Sequence, residues 1–265
     1  MELITSKDNQ KLKLIRSLHL KKHRYDSGLF LAEGLRLAEE AALSADCVFF
    51  LFSEDALTQP RAAALLTELQ DRGAECLRVN EGLFASVAAT ENPQGVLAVC
   101  RMPELALPAP GPWFAYCDGL HDPGNLGSVM RSAAAAGCRG LLLSPDTVDP
   151  WNPKTVRASM GAVFRLPLWR AASDAAALAA MDGLDAAPLV TAMDGEDIRR
   201  CGDLLCRPHC WVLGSEAAGV RPFWREHAAR TVSLPMAEGA ESLNVSCAAA
   251  VLFYQSFFSC HGLPL

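Results

Sequence analysis

Short apolar runs alternate with stretches of helical spacing along most of this chain, and glycine or proline punctuates nearly every change. Leu12, Ile15 and Leu18, with Leu14 beside them, predict an amphipathic helix within residues 5–24. "GLFLAEG" from Gly28 predicts a strand that breaks at Gly34, and "LRLAEEAALSA" a helix after it. "CVFFLF" from Cys47 reads as a buried strand, and "PRAAALLTELQDRG" as a helix opened by proline and closed by Gly73. "ECLRV" and "GVLAVC" add two strands. The alternation predicts a small α/β domain over residues 1–101. "RMPELALPAPGP" carries four prolines and little periodicity, so residues 102–112 read as a linker.

A second α/β domain is expected over 113–265. "WFAYCDGL" from Trp113 is an apolar strand, and "DPGNLGSVMRSAAAAG" is a turn and a helix that stops at Gly137. "GLLLSP", "FRLPLW", "PLVTAM", "CWVLGSE" and "RTVSLP" supply further strands, with "NPKTVRASMG", the alanine-rich "AASDAAALAAMDG" and "RPFWREHA" as helices between them. Six strands alternating with helices predict a mostly parallel sheet covered on both faces. Ligands of such sheets bind at the carboxyl ends of the strands. Three glycine-bearing junctions are expected there: "DPGNLGSV", "LGSEAAGV" and "LPMAEGAESLNVS".

In the final helix Val245, Ala248, Ala249, Leu252 and Phe253 make one stripe, while Val251, Phe257 and Phe258 lie outside it. A helix apolar nearly all round is buried on more than one side. At the end of the sequence, a second subunit is the simplest second partner, so a homodimer through this helix is expected.

Composition narrows the class. The 265 residues are 51% hydrophobic and 20% charged, as expected of a globular chain. A net charge of −6 excludes a chain that is basic overall, so charge must be read by segment. Residues 5–24 hold Lys7, Lys11, Lys13, Arg16, Lys21, Lys22 and Arg24 against Asp8 alone. Such a face is the footprint of phosphate-backbone binding, or else a solvated helix surface. The ten cysteines are irregularly spaced and several sit in apolar runs, which suits free thiols in a reducing compartment. No signal-peptide-like start and no run near the roughly 20 apolar residues of a membrane span occur. A cytoplasmic location without membrane attachment is expected.

The common nucleotide loops are missing: no G-x-x-x-x-G-K-[ST] occurs, and "DPGNLGSV" is not G-x-G-x-x-G. "GNLG" fits the clamp of a KH domain, but is too short to be specific. "CGDLLCRPHC" groups Cys201, Cys206, His209 and Cys210 without zinc spacing, so no metal is expected. Ser215 lacks a nucleophile-elbow pattern. What remains is Asn125, Arg131, Glu216, Ser242 and Asn244, spread over the three junctions. Singly, Asn125 and Ser242 can cap helices, Arg131 can form a surface ion pair, and Glu216 can face a helix N-terminus.

Together these segments resemble the SpoU (TrmH-type) RNA 2′-O-ribose methyltransferases of the SPOUT class. The family's N-x-G-x-x-x-R reads Asn125 to Arg131; its strand followed by G-x-E-x-x-G reads "VLGSEAAGV"; its third motif reads "LPMAEGAESLNVS". In the first domain "FLAEGLRLAEEAAL" and "TENPQGVLAV" resemble the ribosomal-protein-like RNA-binding domain of many members.

The resemblance implies a deep trefoil knot in the C-terminal domain, an exception to the rule against threaded chains. It implies S-adenosylmethionine bound by Leu213, Gly214, Gly219, Leu234, Met236, Ser242, Leu243 and Asn244, largely through backbone groups, and an active dimer. It also implies methylation of a ribose 2′-hydroxyl, with ribosomal RNA favoured over transfer RNA because minimal tRNA-modifying members lack the first domain. Arg131 is the family's candidate for activating the hydroxyl, as a base or as a group that binds the adjacent phosphate and stabilises the alkoxide. Asn125, Glu216, Ser242 and Asn244 complete the implied catalytic set. A non-catalytic RNA-binding protein retaining the fold is the rival reading, and a nicotinamide oxidoreductase lacks its fingerprint.

Overall fold

The computed structural model describes residues 2–216, 218–239 and 242–263. The chain forms two compact units: the residues up to Pro103 together with Asp149–Phe164, and Glu104–Val148 together with the residues from Arg165 on. Asp149–Phe164 therefore does not pack as a cut at residues 102–112 would place it. Trp151 lies 4.7 Å from Phe30, ring centre to ring centre, and Asp149 accepts from Arg24 Nη2 at 2.5 Å. Burial of a tryptophan and pairing of a buried charge hold this excursion on the first unit.

The first unit runs β1 (Glu2–Leu3), α1 (Gln10–Ser17), α2 (Lys21–Ser27), β2 (Leu29–Glu33), α3 (Leu35–Ser44), β3 (Cys47–Ser53), α4 (Pro60–Asp71), β4 (Cys76–Val79), α5 (Glu81–Ala85) and β5 (Val96–Arg101). Its sheet order is β1-β4-β3-β5-β2, with β5 antiparallel to both neighbours. The basic segment forms two helices rather than one. Asn9 caps α1, whose Leu12 and Ile15 enter a core with Phe49, Leu51, Leu97 and Val99. The chain then breaks at Leu20, which is extended.

The second unit contains β6 (Trp113–Asp118), α6 (Pro123–Ala135) and β7 (Leu141–Leu143). After α7 (Pro153–Ala158), which belongs to the first unit, follow β8 (Leu168–Arg170), α8 (Asp174–Gly183), β9 (Ala187–Asp197), α9 (Gly202–Leu205), β10 (His209–Gly214), α10 (Pro222–His227), β11 (Arg230–Ser233) and α11 (Val245–Cys260). All pairings in the order β11-β9-β10-β6-β7-β8 are parallel. Every residue of β6 and β10 is buried, as in a sheet covered on both faces. On one face Phe114, Tyr116 and Val212 pack with Trp224 and Met181. On the other, Trp113 meets Phe253 of α11 at 5.1 Å.

Within α11, Val245, Ala249, Leu252, Phe253 and Ser256 are buried, whereas Val251 and Tyr254 are exposed. Its anchor is polar. Trp211 Nε1 donates to Ser256 Oγ at 2.8 Å, and His209 Nε2 lies 2.7 Å from the same oxygen. His209 Nδ1 faces the Arg207 carbonyl at 2.8 Å, so the neutral ring donates there and accepts from Ser256. Burial holds this imidazole at about 4. No helix among the described residues is long and apolar enough to cross a membrane, and among them no group of three or more His, Cys, Asp or Glu converges as a metal site.

Candidate functional site

The C-terminal ends of β9, β10 and β11 open into a cleft of about 430 Å³. The size lies within the roughly 300–1,000 Å³ of small-molecule sites. Its wall includes Leu213 and Gly214 from β10, Gly219 from the loop that follows, Leu234 and Met236 after β11, and Ser242, Leu243 and Asn244 before α11. All eight residues expected around a cofactor therefore line one cleft. Thr191 to Asp194 of β9 and Arg225 of α10 line it too, and no motif pointed to them.

Backbone contact shapes the cleft. Ser215 and Gly219 exchange backbone hydrogen bonds, 3.2 Å from Ser215 N and 2.9 Å from Gly219 N. Gly219 sits at φ +67°, and a Cβ on Gly214 would lie 2.1 Å from the Gly219 carbonyl carbon. Only glycine permits this approach. The loop after it is pinned from outside: the backbone N–H of Arg221 donates to Asp118 Oδ2 at 2.8 Å, and its guanidinium bonds Asp118 and Asp174. Burial raises the Asp118 carboxyl, and the hydrogen bonds from Arg221 oppose that shift.

Asn125, Glu216 and Asn244 meet at the edge of the cleft. Asn125 Nδ2 donates to Glu216 Oε1, and Asn244 Nδ2 donates to Asn125 Oδ1 at 3.0 Å. Neither Asn125 nor Ser242 is a helix cap. Asp122 caps α6 through the N–H of Asn125 at 2.8 Å, and Asn244 caps α11 through the N–H of Ser246 at 2.9 Å. Ser242 to Asn244 form no strand; they are an irregular segment ahead of the helix.

Arg131 is not joined to this group. It lies exposed on α6 and makes no hydrogen bond or ion pair among the described residues. Asn125 occupies the first turn of the same helix and Arg131 lies further along.

Of the basic residues in the first unit, Arg24 is misread by its charge run. It is buried, bonded to Asp149 and to the carbonyls of Leu18 and His19 at 2.8 and 2.9 Å, and cannot meet RNA. Lys11 pairs with Glu75 at 2.7 Å, Lys13 approaches Asp8 at 3.5 Å, and Arg16 donates to the Lys7 carbonyl. Lys7, Lys21 and Lys22 are exposed.

Residues 113–254 match the SpoU rRNA Methylase family, and residues 9–98 match an MRM3-like substrate binding domain. A 23S rRNA (guanosine(2553)-2′-O)-methyltransferase from Bacillus subtilis (strain 168) is 33% identical over 96% of this chain and 98% of its own. A solved RNA 2′-O ribose methyltransferase superposes with a TM-score of 0.83 at 33% identity, over 98% of this chain and 99% of that one. An AdoMet-bound rRNA methyltransferase from Sinorhizobium meliloti also gives 0.83, at 29% identity and 99% coverage of both chains.

Proposed function

We propose, because the chain belongs to the SpoU rRNA Methylase family, that it transfers a methyl group from S-adenosylmethionine to a ribose 2′-hydroxyl of ribosomal RNA. The observation that carries this reading is the cleft in which Gly214, Leu234 and Leu243 converge beside the Asn125–Glu216–Asn244 cluster. The cleft is apolar along Leu213, Val220, Leu234 and Leu252, with backbone groups at its loops. That donor set suits an adenosyl group held by apolar contact and main-chain hydrogen bonds.

S-adenosylmethionine, once bound, would supply a sulfonium methyl group: the attacking ribose oxygen would gain the O–C bond, S-adenosylhomocysteine would leave as the S–C bond breaks, and the hydroxyl proton would pass to solvent. This chain's residues prepare that attack. Asn125 and Asn244, fixed to each other and to Glu216, orient the nucleotide. Arg131 presents a planar cation with several donors to the phosphate next to the reacting ribose and to the developing alkoxide. Its exposure, and its lack of a partner among the described residues, suit a residue that waits for RNA. Ser242 adds a hydroxyl at the cleft wall.

The first unit is the RNA-binding module in this reading, with Lys7, Lys21 and Lys22 as its exposed cations, Lys21 lying over the Tyr25 ring at 5.7 Å. Lys11, Lys13 and Arg16 are partly engaged within the protein. In this reading the second unit carries the deep trefoil knot that family membership implies. Two copies associate through the exposed apolar side of α11, Val251 and Tyr254. Free cysteines and a ribosomal substrate suit the cytoplasm.

Incubating the purified protein with S-adenosylmethionine and unmodified ribosomal or transfer RNA, followed by mass spectrometry of the nucleosides, tests the reading. A 2′-O-methyl nucleoside from ribosomal RNA is expected. Methylation of transfer RNA alone would move the substrate, and no methylation together with RNA binding would favour a non-catalytic binder.

A further inference from the structure

The cleft's charged side chains pose a question its motifs leave open. Among the described residues it is lined by three such groups: Asp194, Glu216 and Arg225. Glu216 is engaged by Asn125. Asp194 and Arg225 pair with each other, Arg225 Nη1 donating to Asp194 Oδ2 at 3.0 Å, with side chains 44% and 68% exposed for Arg225 and Asp194 respectively. An exposed pair of this kind contributes little to stability, so a ligand can replace it at little cost.

Both partners stand on fixed supports. Arg225 follows Trp224, which is fully buried with its ring 4.5 Å from Tyr116, and α10 begins beside Arg221, which is tied to Asp118. Asp194 precedes Gly195, where the chain passes so close to β11 that an added Cβ would lie 2.6 Å from the Val232 carbonyl carbon. The backbone under each charge is therefore held, while the charges themselves remain open to solvent. Such a pre-set fork and carboxylate match a zwitterion.

We propose that Arg225 and Asp194 recognise the amino-acid end of the cofactor, Arg225 taking its α-carboxylate and Asp194 its α-ammonium. Arg225 is the sole cation on the cleft wall among the described residues, so no other lining side chain offers the carboxylate a charge-assisted bond. The pair thereby selects adenosyl thioethers that carry an amino acid over those that do not. The assignment rests on the cofactor reading above and adds the residues that read one end of it.

Calorimetric titration of the full chain tests this without turnover. The probes are S-adenosylhomocysteine, its decarboxylated analogue and 5′-methylthioadenosine, each against wild type, Arg225→Ala, Arg225→Lys and Asp194→Asn. Wild type is expected to lose about tenfold in affinity when the carboxylate is removed. Arg225→Ala should weaken S-adenosylhomocysteine by a similar factor, leave 5′-methylthioadenosine within about twofold, and bind the decarboxylated analogue as wild type does. Arg225→Lys should recover part of the loss. Unchanged S-adenosylhomocysteine binding in Arg225→Ala would overturn the assignment, as would equal weakening of all three probes. Failure of every probe to bind wild type would overturn the cofactor reading itself, and the assignment with it.

Discussion

Asn244 donates from Nδ2 to Asn125 Oδ1 at 3.0 Å, while its own Oδ1 caps α11 through the N–H and hydroxyl of Ser246 at 2.9 and 2.7 Å. One side chain thus starts the last helix and orients a residue 119 positions earlier in the chain. The two duties separate by substitution. Asn244→Asp retains the cap but turns a carboxylate oxygen toward the Asn125 carbonyl oxygen, so stability should change by less than about 1 kcal/mol while methyl transfer falls at least about a hundredfold. Thermal unfolding together with a methylation assay checks both.

Gly214 is required for space rather than for flexibility. A Cβ there would strike backbone at Gly219 and Val220, 2.1 and 2.2 Å away. Backbone cannot swing aside as a side chain can, so Gly214→Ala should weaken S-adenosylhomocysteine binding by at least about tenfold. Gly183, where an added Cβ meets nothing within 4 Å, serves as the control, and Gly183→Ala should bind as wild type. Calorimetry reads both.

Burial makes the His209 imidazole a sensor of acid. Its folded value of about 4 lies below the ordinary unfolded value of about 6.5, so below that pH the unfolded chain takes up a proton the folded one refuses. Its contribution is fully present above about pH 6.5 and is lost as pH falls toward 4, by about 3 kcal/mol. Urea unfolding across that range should show this slope in wild type and a shallower one in His209→Gln.

Charge in the first unit should divide into two kinds. Arg24→Ala strands the buried Asp149 carboxylate and should cost about 3–5 kcal/mol. Lys21→Ala with Lys22→Ala should leave the melting temperature nearly unchanged, weaken RNA binding and flatten its salt dependence by roughly one to two units. Melting curves and binding titrations at several salt concentrations separate the two.

Dimerisation is best probed at α11's exposed face. Ala249 is fully buried within the chain, so a charge there would damage the protomer itself. Val251 and Tyr254 are exposed, at 44% and 41%. Wild type is expected to be a dimer by light scattering, and Val251→Glu with Tyr254→Glu a monomer that circular dichroism shows to be folded. A monomeric wild type would remove the dimer from the account.

Much of the site was legible because strand ends carry strong local signals. Glycine and short polar residues after buried runs marked the three junctions, and the resemblance to the SpoU methyltransferases named Leu213, Gly214, Leu234 and Leu243 within or beside them. Asp194 and Arg225 were hidden for the opposite reason: one lies on a strand that extends past its apolar part, the other on a short helix without a motif. Arg24 looked like its neighbours because a charge run does not reveal which cation meets a carboxylate 125 residues away. The placement of Asp149–Phe164 with the first unit was likewise invisible to reading in chain order, since Trp151 and Asp149 find their partners only in three dimensions.

Mapping 2′-O-methyl groups across ribosomal and transfer RNA is the most direct measurement of the central claim. The cells compared should lack the protein, carry it, or carry its Asn125→Ala form. One or a few ribosomal riboses should be methylated only where the wild-type protein is present, and an identical map in all three would contradict the account.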